Sequence, residues 1–477
     1  MGIENFVVRV SLPVDILKFI DASLVLGQSN LSSIAGELRE EAELISYEKS
    51  EKQVAHNSHE DAPIIRLVNN IICEAVRLGA SDIHIEPGPG DTPTKVRMRI
   101  DGICRDIENI PAQYSEPVLS RIKVIARLDI AEHRKPQDGK CKLRLTDQNI
   151  ELRVATIPTI NGESAVLRLL SNAAALPLSK LKLSPEITQK IIPLIEHPYG
   201  LILVVGPTGS GKTTSLHALL AHLNTPERKI WTVEDPVEIT QAGLQQVQII
   251  PKIGFNFAEA LRSFLRADPD IILIGEMRDS ETAKIGIEAS LTGHLVFSTL
   301  HTNSAPETVI RLLDLGVDPL NFADALLGVL AQRLLRTLCE HCKRPYFATA
   351  EDKQKLIHLF GADFIAEMDL KQQKQILIQH HGAEMFNRLD LSSTELILFQ
   401  AQGCEKCEHT GYKGRIGIHE LLVATPQIKT LIAKGHNVKE IRQIAEHEGM
   451  RSLIQDGIIK ILNGYSDIQQ LQRVVMN

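Results

Sequence analysis

An apolar run, Leu201–Val205, leads directly into a glycine-rich loop and then into a helical stretch, Thr213–Leu223. The loop reads Gly-Pro-Thr-Gly-Ser-Gly-Lys-Thr over positions 206–213 and matches G-x-x-x-x-G-K-[ST]. Glycines let backbone N–H groups surround phosphates, and a helix N-terminus adds partial positive charge. This order predicts a phosphate-binding loop. A chance glycine-rich turn and a degenerate, non-hydrolysing nucleotide site are the alternatives.

Within this loop, Lys212 is expected to reach the β- and γ-phosphate oxygens of ATP, and Thr213 is expected to ligate Mg²⁺. The nucleotide-binding residues predicted from the motif are Gly206, Pro207, Thr208, Gly209, Ser210, Gly211, Lys212, Thr213 and Thr214.

Further apolar runs at Ile230–Val233, Ile271–Ile274 and Leu295–Leu300 alternate with helical patterns such as Phe257–Ala267 and Ser280–Leu291. Strands that alternate with helices predict an α/β fold whose parallel sheet is covered on both faces.

Acidic residues end two of these runs. Glu276 follows Ile271–Ile274 in a Walker B arrangement, and Glu234 and Asp235 end another strand beside Pro236. A nucleotide hydrolase needs one carboxylate for the metal and one to orient water. Acids at strand ends also serve as helix caps or solvated loop residues, but two such clusters after a phosphate-binding loop favour catalysis.

The strand Leu295–Leu300 is bounded by histidines, His294 before it and His301 after it. Thr299, His301 and Asn303 are candidates for sensing a γ-phosphate. The alternative for either histidine is a satisfied core or turn residue.

Two Cys-x-x-Cys pairs account for four of the seven cysteines: Cys339, Cys342, Cys404 and Cys407. Because the N-terminus lacks the pattern of a secretory signal, these pairs favour a four-thiolate structural Zn²⁺ site over disulfides. Reduced, unliganded cysteines are the alternative, and His341 and His409 are substitute ligands. The gap of about 60 residues between the pairs is long for a zinc ribbon.

The overall composition excludes several classes of protein. The chain has 477 residues and a net charge of −7, which disfavours nucleic-acid binding dominated by electrostatics. The longest apolar run, Leu326–Leu335, is broken by Gln332 and Arg333 and is too short for a membrane span.

Composition shifts divide the chain into segments. Residues 1–60 form a short N-terminal segment that ends in a linker, Glu48–Glu60. Residues 61–175 are predicted to be a small α+β domain that opens with an amphipathic helix over Ile64–Leu78. Residues 176–477 form the nucleotide-binding domain, with the metal-binding insert at about 336–412 and helices at the C-terminus.

Taken together, these motifs closely resemble the assembly ATPases of type II secretion and type IV pilus systems. The resemblance covers about residue 60 to the C-terminus and rests on Ala80–Pro87, Met98–Gly102, Pro136–Gly139, Gly206–Thr213, Thr232–Pro236, Leu265–Asp279, Leu291–Asn303 and Gly403–Tyr412.

The resemblance implies a RecA-like P-loop ATPase domain preceded by a PAS-like α+β domain. It implies a homo-hexameric motor that hydrolyses ATP and drives pilin or pseudopilin assembly through an inner-membrane platform protein. A membrane-anchored cytoplasmic protein would recruit the motor, which is therefore expected to be cytoplasmic and peripheral on the inner membrane through its partners. No nucleic acid is expected as a partner.

By similarity, Glu276 is the Walker B acid, Glu234 and Asp235 belong to an Asp box, and His294 and His301 form a His box. We expect Glu234 to orient the attacking water and Glu276 to hold Mg²⁺, although the two roles are open to exchange. Arg153 and Arg168 match positions that approach the phosphates from the smaller domain.

Two features depart from the family pattern. Only about 60 residues precede the match, where relatives often carry a larger recruiting module, and the insert between the cysteine pairs is longer than usual. The four-cysteine element favours assembly or secretion over pilus retraction. The rival hypotheses are a nucleotide-gated scaffold with little turnover and a DNA-uptake or conjugation motor, and the net charge disfavours the latter.

Overall fold

The computed structural model describes residues 61–145, 148–170, 175–360, 370–386 and 395–475. The predicted N-terminal segment 1–60 and its linker Glu48–Glu60 lie outside these residues. The chain forms two compact units, divided between Asn172 and Ala173. Among the described residues, no helix combines the length and apolar character needed to cross a membrane.

The first unit is built from these described elements: α1 Asp61–Arg77, β1 Ala80–Glu86, β2 Thr94–Ile100, β3 Ile103–Ile110, α2 Ser115–Ala126, β4 Gln137–Leu145, β5 Gln148–Thr159 and β6 Gly162–Leu170. Its strands form an antiparallel sheet in the order β3-β2-β1-β6-β5-β4. Helices α1 and α2 pack against this sheet. This arrangement confirms the predicted α+β class.

Local sequence explains how these elements form. The apolar positions of α1 recur at helical spacing and are buried: Ile64, Leu67, Val68, Ile71, Ile72 and Ala75. The turn between β2 and β3 is made by Asp101 and Gly102, with φ of +48° and +84°. Positive φ at both central residues is typical of the type I′ turns that join two-residue hairpins, so this dipeptide sets the register of the hairpin.

The main sheet of the second unit is built from β7 Gly200–Val205, β8 Ile230–Glu234, β9 Leu244–Gln248, β10 Ile271–Ile274, β11 Leu295–Leu300, β12 Leu326–Leu338 and β15 Tyr412–Val423. Among the described residues, the order of these strands is β15-β12-β7-β11-β10-β8-β9. Neighbouring strands run parallel except β12 and β15. The predicted α/β fold with a parallel sheet is therefore confirmed.

Helices of the second unit follow the strands and cover the sheet. Their bounds are α3 Pro185–Ile195, α4 Lys212–Leu223, α5 Phe257–Phe264, α6 Ser280–Leu291, α7 Ala305–Asp314, α8 Pro319–Ala325, α11 Pro426–Ala433, α12 Val438–His447, α13 Leu453–Leu462 and α14 Ile468–Val475. Many begin at a capping side chain: Asp279 accepts a hydrogen bond from the backbone N–H of Thr282, and Ser304 accepts one from that of Glu307.

The apolar run Leu326–Leu335 lies inside strand β12 and not in a helix. β12 pairs in parallel with β7 and antiparallel with β15, so it is covered on both edges. Between the two cysteine pairs, β13 Arg344–Phe347 and β14 Ile397–Gln400 form a small antiparallel pair. The described helices of this insert are α9 Ala350–Phe360 and α10 Leu370–His381.

Candidate functional site

The carboxyl ends of four adjacent parallel strands gather the predicted site residues. Gly206 follows β7, His301 follows β11, the Gly275–Glu276 turn follows β10, and β8 ends at Glu234. In an open parallel sheet, ligands bind at this edge because the loops and helix N-termini that follow the strands converge there. The second unit therefore presents a candidate nucleotide site, built on α4 and these strand ends.

The glycines of the loop at 206–211 allow a tight path that other residues could not follow. Gly206, Gly209 and Gly211 have φ of +152°, +78° and +87°. A Cβ on Gly206 would lie 2.4 Å from the backbone oxygen of Gln332, which requires the backbone to move. Helix α4 begins at Lys212 immediately after this turn, so its first backbone N–H groups lie at the loop.

Lys212 folds back over its own loop. Its Nζ donates hydrogen bonds to the carbonyl oxygens of Gly206 at 2.8 Å and Pro207 at 3.2 Å. Burial lowers the pKa of Lys212, and the negative charges of Glu276 and Glu238 offset part of this effect. An anionic phosphate at the loop would stabilise the protonated form further.

Glu276 is mostly buried, with 14% of its side chain exposed, and it faces two basic groups. A guanidinium nitrogen of Arg278 lies 2.5 Å from Oε1, and Nε2 of His301 lies 3.5 Å from Oε2. Thr299 secures the turn by donating its hydroxyl to the carbonyl of Gly275 at 2.6 Å. Glu276 and His301 are therefore brought together. Against the lowering effect of burial, the negative charge of Glu276 also raises the pKa of Lys212, so these two side chains interact electrostatically.

Glu234 is more deeply buried than Glu276 and is held by three side chains. The hydroxyl of Thr232 and the amide of Gln246 donate to Oε1 at 2.6 and 3.1 Å, and Nε2 of His217 lies 3.4 Å from Oε2. These contacts set the orientation of the carboxylate. The adjacent Asp235 is exposed.

The structure does not bring His294 together with these residues. His294 precedes β11, and its backbone oxygen accepts a hydrogen bond from Gly200, the first residue of β7. It therefore lies at the amino edge of the sheet, at the other end of β11 from His301. Its Nδ1 is 2.9 Å from the carbonyl oxygen of Ala289.

Arg153 and Arg168 lie in the first unit, where they are direct cross-strand partners on β5 and β6 and so project on the same face. Arg168 donates to Asp82 at 2.8 Å, and Arg153 is 3.9 Å from Asp138. Burial raises the pKa of Asp82, but the hydrogen bonds from Arg168 and Ser81 outweigh it, so that this pKa lies below its ordinary value.

The sulfur atoms of Cys339, Cys342, Cys404 and Cys407 all lie within 4.8 Å of one another. Neighbouring Sγ–Sγ distances are 3.9, 3.7 and 3.7 Å. Four sulfurs placed tetrahedrally at about 2.3 Å from an ion are separated by about 3.8 Å, so the cluster fits a four-thiolate metal site. The strands before and after the insert bring the two pairs together.

The backbone around Cys407 favours a thiolate. Burial raises the pKa of the Cys407 thiol, but the N–H groups of Cys404 and Gly411, each 3.2 Å from Sγ, lower it to about 6. His341 and His409 are exposed and do not belong to the cluster.

Sequence reasoning missed three residues that shape the site. His217 contacts Glu234, Arg278 pairs with Glu276, and Gln332 donates to the loop. Two of them carry a recognisable signal: His217 stands in an apolar helix, and Gln332 interrupts an apolar strand.

Comparison with known proteins gives the family context. The family model for type II/IV secretion system proteins matches residues 57–473. Type II secretion system protein E of Dickeya dadantii is 43% identical over 419 residues, which span 88% of this chain and 77% of that protein. The type IV pilus assembly ATPase PilB of Thermus thermophilus is 40% identical over 447 residues, which span 93% of this chain and 46% of that protein.

Solved structures agree at the level of the fold. The ATPase DotB of Yersinia pseudotuberculosis matches with a TM-score of 0.60 at 20% identity, covering 89% of this chain and 96% of that one. The ADP-bound pilus retraction motor PilT matches with a TM-score of 0.53 at 23% identity, and the match covers 85% of this chain and 95% of PilT. The resemblance predicted from the motifs is confirmed: the chain belongs to the type II/IV secretion system protein family, whose matched relatives include secretion and pilus-assembly ATPases.

Proposed function

We propose that this chain is an Mg²⁺-dependent ATPase motor that powers pilin or pseudopilin assembly in type IV pilus biogenesis or type II secretion. The observation that carries the proposal is the meeting of the phosphate-binding loop with Glu276, Glu234 and His301 at one edge of the sheet. The names of the relatives, a secretion protein and a pilus assembly ATPase, support the process assigned to it.

In this proposal the loop N–H groups and Lys212 bind the β- and γ-phosphates. Thr213 and Glu276 would hold Mg²⁺, which would neutralise negative charge on the phosphate oxygens when bound. Glu234 accepts a hydrogen bond from the attacking water and orients it, and its three side-chain partners keep its carboxylate in place. His301 lies beside Glu276, where it responds to the γ-phosphate. His294 lies at the opposite, amino edge of the sheet, so we assign it no role in ATP hydrolysis.

Arg153 and Arg168 are proposed to approach the phosphates from the first unit. Their shared face and their exposure, 42% and 57% of the side chains, support such a role. The proposal also includes assembly as a homo-hexamer, contact with an inner-membrane platform protein, and recruitment to the membrane by an anchored cytoplasmic partner.

Zn²⁺ is proposed for the four-cysteine site, because four thiolates at these separations suit its tetrahedral coordination. A structural ion there would hold the two ends of the insert together, since Cys339 and Cys404 belong to opposite ends of it.

The test is the ATPase rate of the purified chain with and without the cytoplasmic part of a candidate platform protein, measured beside the mass of the oligomer. We expect turnover that Lys212→Ala abolishes and that Lys252→Ala, an exposed lysine outside the site, leaves unchanged. Wild-type turnover in Lys212→Ala would refute the site. A hexamer that binds ATP without turnover would favour a nucleotide-gated scaffold instead, and stimulation by DNA would favour a DNA-uptake motor.

A further inference from the structure

The side chain of Gln332, on β12, is hydrogen-bonded to the backbone of the phosphate-binding loop. This side chain is 2% exposed, and its Nε2 donates to the backbone carbonyl of Ser210 at 2.7 Å. The pairing of β12 with β7 runs to Ala331 opposite Val205, so Gln332 is the next residue along, beside the start of the loop. The backbone oxygen of Gln332 also closes the space behind Gly206.

The hydrogen bond to Ser210 has a geometric consequence for the next residue. A trans peptide is planar, and its C=O and N–H point in opposite directions. When Gln332 holds the carbonyl of Ser210 on the side of β12, the N–H of Gly211 must point the other way. That N–H is one of the groups which, in this kind of loop, surround the bound phosphates.

Flexibility at this position makes an anchor necessary. Gly209 and Gly211 flank Ser210, and both adopt positive φ. Glycine has access to many more backbone conformations than other residues, so the Ser210–Gly211 peptide is free to rotate unless a contact holds it. Among the described residues, Oε1 of Gln332 has no hydrogen-bond partner, so the donor Nε2 is the part of the amide that acts on the loop.

We propose that Gln332 is a positioning residue for nucleotide binding: it holds the Ser210 carbonyl and thereby aims the Gly211 N–H at the phosphates of ATP. The inference rests on the proposed function, because it assumes that the loop binds ATP. Gln332 does not touch the nucleotide in this scheme. A role confined to stability is the alternative, since a buried amide with one hydrogen bond also contributes to folding.

The experiment compares ATP hydrolysis and ADP affinity in Gln332→Met and Gln332→Glu. The methionine keeps the length of the side chain and removes the donor. The glutamate replaces the donor by an acceptor that repels the Ser210 carbonyl. We expect KM for ATP and Kd for ADP to rise about tenfold in Gln332→Met, the effect of losing one well-formed hydrogen bond, and further in Gln332→Glu.

The matched control is Gln373→Met in the insert. Gln373 is also buried, 7% exposed, and its Nε2 donates to the backbone carbonyls of Ile397 at 2.9 Å and Leu462 at 3.3 Å. We expect it to lower the thermal midpoint of the nucleotide-free protein while KM stays at the wild-type value. Gln332→Met should instead change KM beyond what its own loss of stability explains.

A wild-type KM in folded Gln332→Met, or equal KM changes in Gln332→Met and Gln373→Met, would overturn the inference. If Gln332→Glu fails to fold, the Met variant decides alone, because it buries no new charge. Lys212→Ala is measured in parallel: if it hydrolyses ATP normally, the proposed function has failed. If it is inactive while Gln332→Met is normal, only the positioning role has failed.

Discussion

His217, on the helix that follows the phosphate-binding loop, lies 3.4 Å from the carboxylate of Glu234 at the end of β8, and both side chains are buried. Nδ1 of the same imidazole lies 3.0 Å from Oε1 of Gln241, so a protonated ring donates on both sides. Burial lowers the pKa of His217, but the hydrogen bond and charge of Glu234 outweigh burial, and the pKa is raised above its ordinary value. A buried polar pair thus joins α4 to the acid proposed to orient water.

This pair predicts a pH-dependent stability. Because the folded-state pKa of His217 is raised, its contribution to the free energy of unfolding is fully present below the unfolded pKa of about 6.5. The contribution is lost as pH rises through the folded-state pKa. Chemical unfolding of wild type and His217→Gln at a series of pH values measures it, and the difference between their free energies of unfolding should shrink as the pH rises. His222→Gln, which loses an exposed contact to Glu196, should leave the pH dependence unchanged. Parallel pH profiles for wild type and His217→Gln would contradict the prediction.

The two acids predict different defects in hydrolysis. We expect Glu276→Gln to raise the Mg²⁺ concentration needed for half-maximal rate, because it removes the carboxylate proposed to bind the metal. Glu234→Gln should lower kcat by about 100-fold at unchanged Mg²⁺ dependence, because it removes the carboxylate proposed to orient the attacking water. Titration of the ATPase rate with Mg²⁺ distinguishes the variants. The reverse pattern would exchange the two roles, and an unaffected Mg²⁺ dependence in both would remove Glu276 from the metal site.

The four-thiolate cluster predicts about one Zn²⁺ bound for each chain. Cys404→Ser should lose the metal, since it removes one of the four sulfurs, and a strong chelator should lower the thermal midpoint of the wild type. Elemental analysis of the purified proteins measures the metal content. Cys141→Ser, a buried cysteine of the first unit, is the control and should retain full zinc content. A wild-type protein with no bound metal would contradict the assignment.

A buried ion pair in the first unit predicts a large effect on stability. Nζ of Lys123 lies 2.6 Å from Oε2 of Glu163, with side chains 1% and 6% exposed. Glu163→Ala leaves a buried ammonium without its carboxylate, which should cost about 3–5 kcal/mol. Lys95→Ala breaks an exposed pair with Asp106 and should cost less than about 1 kcal/mol. Denaturant unfolding, followed by a signal from the first unit, measures the free energy of unfolding of both variants. Equal losses of this free energy in the two variants would contradict the prediction.

Much of this protein follows from its sequence. The run Leu201–Val205 and the loop after it predict a buried strand, a phosphate-binding turn and a helix, because each step depends on neighbouring residues. The apolar runs of the parallel strands and the helical pattern over Ile64–Leu78 follow from the same local rules. The cysteine pairs are visible because each pair lies within four residues.

The tertiary structure decided which of these residues meet. His294 and His301 look equivalent in the sequence as residues that bound one strand, but strand direction places His294 at the amino edge and His301 beside Glu276. Gln332 reaches Ser210 across 122 positions of the chain. Spacing along the chain specifies local conformation, whereas strand order and direction determine which distant side chains come within hydrogen-bond distance. The sequence alone therefore identifies the phosphate-binding loop, whereas the residues that contact and position it, such as Gln332, are identified only from the folded structure.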